Sequence, residues 1–101
     1  MERTLITVTE YCSYHHIEPD FVYSLADGGL LEIIIEQEQR CIPFAQLIQL
    51  ERLSRLHYDL DINMEGLAAI SHLLQKVNLM QDEMNELRNE LFFHRQGGRV
   101  G

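Results

Sequence analysis

From Ile70 onward the apolar residues keep a seven-residue register: Ile70, Val77, Met84 and Leu91 recur at one position, with Leu73, Met80 and Leu87 three residues later. Only a helix holds such positions on one line, and three heptads exceed what an isolated surface helix needs to cover a core. The end of the chain is therefore committed to one long helix with Asn63 as its N-cap, and that helix requires a partner. A second copy of the chain is the simplest one. The other faces carry Gln75, Lys76, Gln81, Asp82, Glu83, Glu86, Arg88 and Glu90, the ordinary decoration of a solvated coiled coil. Leu67 and Leu74 widen the stripe towards a core upstream. We expect a globular domain over 1–61, a dimerisation helix over 62–95 and a flexible tail over 96–101 without periodicity.

With 101 residues, 46% of them hydrophobic, the chain can build one small domain in addition to that helix, but not two independent cores. Its local signals are mostly helix starts and stops. Thr7-Val8-Thr9-Glu10 has capping-box spacing and predicts a first helix from Val8 to His15. Ile17-Glu18-Pro19-Asp20 then breaks and restarts the chain, with Pro19 suited to a first helical position and Asp20 to the positive end of the dipole. This second helix runs to Asp27, where Gly28 and Gly29 offer left-handed termination.

Two short helices joined by a tight turn form a helix-turn-helix. Leu30–Glu36, rich in β-branched residues, and Arg40-Cys41-Ile42 predict a hairpin wing across Gln37-Glu38-Gln39. Pro43 is expected to open a third helix, buried through Phe44, Leu47, Ile48, Leu53 and Leu56 and ending near Leu60. The fold class is mainly α: a winged helix-turn-helix with a small β-hairpin wing and a long C-terminal dimerisation helix.

The charge does not suit a DNA reader. Residues 1–45 contain two basic residues, Arg3 and Arg40, against Glu2, Glu10, Glu18, Asp20, Asp27, Glu32, Glu36 and Glu38, a balance of 2 − 8 = −6. Neutralising phosphates requires Lys and Arg, which supply most non-specific DNA affinity. The whole chain, at −8, favours basic partners where charge is used at all.

Other chemistry is thinly represented. Cys12, His15 and His16 have the spacing of one helix face, but a structural zinc site needs four ligands and no second Cys or His pair completes this one, so no metal and no cofactor is expected. Cys12 and Cys41 fit a reducing compartment and read as core residues. No phosphate loop, nucleophile elbow or zinc-protease motif occurs, and pairs such as Glu36/Glu38 and Asp59/Asp61 lack an apolar pocket to perturb them, so no enzyme is expected. No apolar run is long enough to cross a bilayer and the first residues lack a signal-peptide pattern, which predicts a cytoplasmic protein. Tyr11, Tyr14, Phe21 and Tyr23 should be mostly core or staple residues. Any left exposed beside Glu18, Asp20 and Asp27 would form a surface suited to a basic amphipathic helix.

The order of helix-turn-helix, wing, third helix and long helix resembles the MerR family of bacterial regulators. The block Arg52-Leu53-Ser54-Arg55-Leu56-His57-Tyr58-Asp59-Leu60-Asp61-Ile62-Asn63-Met64-Glu65-Gly66-Leu67, leading into Ile70-Ser71-His72-Leu73-Leu74, is similar to the signature of its chaperone-modulator (CbpM) branch. Asp61 departs from that pattern, which more often has Gly there. The resemblance implies a protein that binds the J-domain of the DnaJ-like co-chaperone CbpA, suppresses its stimulation of DnaK and reduces its DNA binding. It also implies an antiparallel dimer. An acidic surface would compete with DnaK for the basic helix of the J-domain. The expected partner-facing set is Tyr14, Asp20, Phe21, Tyr23, Asp27, Glu32 and Glu36, with Asp82, Glu83, Glu86 and Glu90 as the rival location. The alternative is a MerR-type transcription regulator that still reads DNA.

Overall fold

In the computed structural model, which describes residues 3–97, the chain divides into two compact units, Met1–Ala68 and Ala69–Gly101. The first unit begins with β1 (Leu5–Thr7) and α1 (Val8–His15). Thr7 caps α1 as its sequence predicts: the Glu10 N–H donates to Thr7 Oγ1 at 3.1 Å, and the Thr7 hydroxyl donates to Glu10 Oε1 at 3.2 Å. Arg3 holds the other Glu10 oxygen at 2.6 Å, and this hydrogen bond is the main reason the carboxyl titrates below its ordinary value. His16, at φ +58°, turns the chain out of α1, and the Ile17 N–H closes the end on the Cys12 carbonyl at 3.1 Å.

α2 (Pro19–Asp27) starts with proline in its first turn, as predicted. It ends in a Schellman motif, with Gly29 N–H on Ala26 O at 3.1 Å and Leu30 N–H on Leu25 O at 2.9 Å. Only Gly29 is left-handed, at φ +76°; Gly28 stays at φ −82°, so it does not need to be glycine for its backbone angle.

β2 (Ile34–Glu36) and β3 (Gln39–Pro43) pair in the register Ile34↔Cys41, Ile35↔Arg40 and Glu36↔Gln39. Gln39 therefore belongs to a strand, and the turn is Gln37 and Glu38 alone, at φ +51° and +63°. This is the type I′ geometry that matches strand twist, built without the usual glycine. Glu38→Gly will raise stability by about 0.5–1 kcal/mol, because left-handed strain on an L-residue outweighs the added chain entropy. The urea midpoint reads it.

β1 has no counterpart among the sequence-based expectations. It joins the far edge of β3 (Leu5↔Pro43, Ile6↔Ile42, Thr7↔Cys41), giving the sheet order β1-β3-β2. Three residues are too few for alternation to signal a strand, and their pairing is entirely long-range.

Pro43 closes β3 and does not open the third helix. A 3-10 turn, Phe44–Gln46, intervenes before α3 (Leu47–Tyr58). Leu50 and Leu53 are fully buried, and Leu47 and Leu56 pack beside them. At 3.6 residues per turn Ile48 falls opposite that face and is 72% exposed, and Phe44 precedes the helix and is 42% exposed. After α3, Asp61 takes φ +60°, the angle glycine would supply, so the departure from the signature keeps the same turn.

α4 (Met64–Gly97) is capped by Asn63, whose Oδ1 accepts the Gly66 N–H at 2.8 Å. A Cβ on Gly66 would lie 2.6 Å from Ile62 Cγ2. Gly66→Ala will therefore destabilise the protein by about 1 kcal/mol in thermal melts, overpacking exceeding the helix-propensity gain.

Val8, Tyr11, Cys12, Phe21, Val22, Leu25, Leu31, Ile42, Leu50, Leu53 and Leu67 form one core. Leu67 draws the first turn of α4 into the first unit, so that unit extends to Ala68 rather than to residue 61. In the second unit α4 reaches Gly97, two residues beyond the expected helix end at 95; the rest of the expected tail, 98–101, lies outside the described residues. Leu73, Val77, Met80, Met84, Leu87 and Leu91 are all 46–64% exposed, and Ile70 is half-buried.

Candidate protein-interaction surface

α2 is the second helix of the helix-turn-helix, the position that enters the major groove in DNA readers. Its inward face is Phe21, Val22 and Leu25. Outward it presents Asp20, Tyr23, Ser24 and Asp27, preceded by Glu18 at the N-cap, and it contains neither Lys nor Arg. The wing brings Glu36 and Glu38 around its turn.

Both basic residues before α3 are already engaged. Arg3 is bonded to Glu10, and the Arg40 guanidinium lies 4.5 Å above the centre of the Tyr23 ring. Among the described residues the ion pairs are Arg3–Glu10 and Arg55–Glu51, so Asp20, Asp27, Glu32 and Glu36 face solvent without a basic partner.

Between α2 and the wing runs a shallow groove of about 310 Å³, lined by Tyr23, Ala26, Asp27, Ile33, Ile35 and Arg40. It unites Tyr23 and Asp27 from the expected set. Asp20 lies two turns earlier on α2, and Glu36 ends β2. Glu32 is exposed on the connection to the wing, its N–H donating to Gln46 Oε1 at 3.1 Å. Tyr14 is 82% exposed on α1 but does not line the groove. Phe21 is a correction: it is 7% exposed, stacked on His57 at 4.5 Å, and serves the core rather than a partner.

Ile35 and Arg40 were missed by sequence reasoning. Three isoleucines in a row on a strand cannot all face inward, and that signal was available; Ile35 is 74% exposed. Arg40 sits directly opposite it in the register.

The thiol–imidazole group does not form a site. Cys12 is buried, His15 stacks on Tyr11 at 4.2 Å, and no group of three or more metal-binding side chains occurs among the described residues. Burial pushes the Cys12 thiol above its ordinary pKa, and Cys41 is also buried. A thiol reagent at neutral pH will label both only after unfolding. Rapid labelling of the native protein would contradict that placement. No described helix is long and apolar enough to cross a membrane.

A family model described as MerR HTH family regulatory protein matches residues 6–89. The chain belongs to the MerR helix-turn-helix family. No curated protein and no solved structure matches it. The MerR match runs from β1 into the seam of α4, so it covers most of the first unit and part of the second. In this MerR chain the element at the DNA-reading position carries only acidic charge.

Proposed function

We propose that this MerR-family chain is a chaperone modulator of the CbpM type. It binds the J-domain of the DnaJ-like co-chaperone CbpA and inhibits its stimulation of DnaK by covering the basic surface that DnaK engages. Loss of DNA binding by CbpA follows from the same occupation. The observation that carries this reading is the outward face of α2, where exposed Asp20 and Asp27 and half-buried Tyr23 stand in place of phosphate-binding cations. The Arg52 to Leu67 block, similar to the modulator signature, names the partner.

Rim ion pairs contribute about 0.2–1 kcal/mol each, so the acids supply fast, salt-sensitive encounter. Tyr23 and Ile35 are the anchors that add affinity. The active form is a homodimer through the α4 seam, working in the cytoplasm without metal or cofactor. ATP hydrolysis by DnaK in the presence of CbpA tests the reading: added protein should return the rate to the unstimulated level, and excess DnaK should restore it. An unchanged rate, together with retention of genomic DNA fragments at low salt, would instead assign a MerR-type transcription regulator.

A further inference from the structure

We propose that the groove between α2 and the wing is a cation subsite, in which the Tyr23 ring and the Asp27 carboxylate receive one Lys or Arg side chain of a basic amphipathic helix, and that Arg40 occupies it in the free protein. This deepens the reading above and rests on it. Arg40 is the chain's own example of the ligand, with its guanidinium 4.5 Å from the Tyr23 ring centre. Yet it forms no ion pair with Asp27, which lines the same groove. Its cation is held by the ring while the carboxylate is left to solvent.

A side chain arriving from a partner can use both groups. Ile33 and Ile35 flank them and offer apolar contact to the aliphatic stem of a long basic side chain, while its charge meets Tyr23 and Asp27. One ring face accepts one cation, so the partner must displace Arg40. An exposed cation–π contact is worth about 0.5–1 kcal/mol, which converts to a two- to five-fold penalty on binding.

The probe is a fluorescent amphipathic helical peptide with Lys and Arg on one face and Leu on the other, titrated into the full chain by anisotropy at low and high ionic strength. Wild type should bind it, and Arg40→Ala should bind two- to five-fold tighter at both. Arg3→Ala removes a cation outside the groove, and any gain it gives should vanish at high salt, where the general field is screened. Tyr23→Phe should keep the Arg40→Ala gain and Tyr23→Leu should abolish it.

Equal or weaker binding by Arg40→Ala, or a gain that persists in the Tyr23→Leu background, would overturn the subsite while leaving the acidic interface standing. Failure of wild type to bind the peptide would remove the interface itself. Circular dichroism of each variant separates loss of binding from loss of fold.

Discussion

Asp20→Lys combined with Asp27→Lys will weaken the proposed J-domain binding by about 30- to 1000-fold, because placing like charges across an interface costs several kcal/mol where opposite pairs would gain a fraction of one. The fold should hardly notice. Both residues are exposed on the outward face of α2, and neither has an ion-pair partner among the described residues. Lys at position 20 opposes the helix dipole at its positive end and Lys at position 27 favours it at the negative end, so the two effects, about 0.3–1 kcal/mol each, offset. Calorimetric titration with a purified J-domain should show the loss beside an unchanged melting temperature. Tyr14→Ala, which changes a residue outside the groove, should stay within two-fold of wild type. Wild-type affinity in the double variant would move the interface to the acids of α4.

Val77→Glu with Met84→Glu will separate the two chains of the proposed homodimer. Both side chains belong to the seam and stay about half exposed in the single chain, at 46% and 52%. A carboxylate there costs the isolated helix little, but once covered by a partner helix each would cost several kcal/mol. Light scattering should fall from twice the chain mass to once, with helical circular dichroism largely retained. A wild type already monomeric at working concentration would contradict the seam's assignment.

The legible parts of the fold were those written in local chemistry. The bounds of α1 and α2 follow from the Thr7 cap, Pro19 and the left-handed Gly29, each acting within a turn of its own position. The Asn63 cap and the start of α4 were legible for the same reason. What sequence reasoning missed depends on distant partners. β1 exists because β3 is there to pair with it, and the Gln37-Glu38 turn is set by strand register rather than by its own weak turn chemistry. The 3-10 turn shifts the start of α3, and Ile48 points outward because Leu50 and Leu53 on the opposite face are the residues the core takes.

The proposed interaction surface divides the same way. Its acidity could be counted, since charged residues rarely bury unpaired. Its aromatic anchors could not be assigned, because Phe21 and Tyr23 are two residues apart on one helix and only packing decides which faces the core. The tertiary fold buries Phe21 against His57 and leaves Tyr23 at the groove beneath Arg40.

A paired titration tests the central claim most directly: one labelled J-domain and one labelled genomic DNA duplex, each against the full chain in the same low-salt buffer. An acidic face at the DNA-reading position predicts saturable J-domain binding that weakens as salt is added, and no DNA binding at the concentrations that saturate the J-domain. Salt-sensitive binding of the duplex with no binding of the J-domain would contradict it.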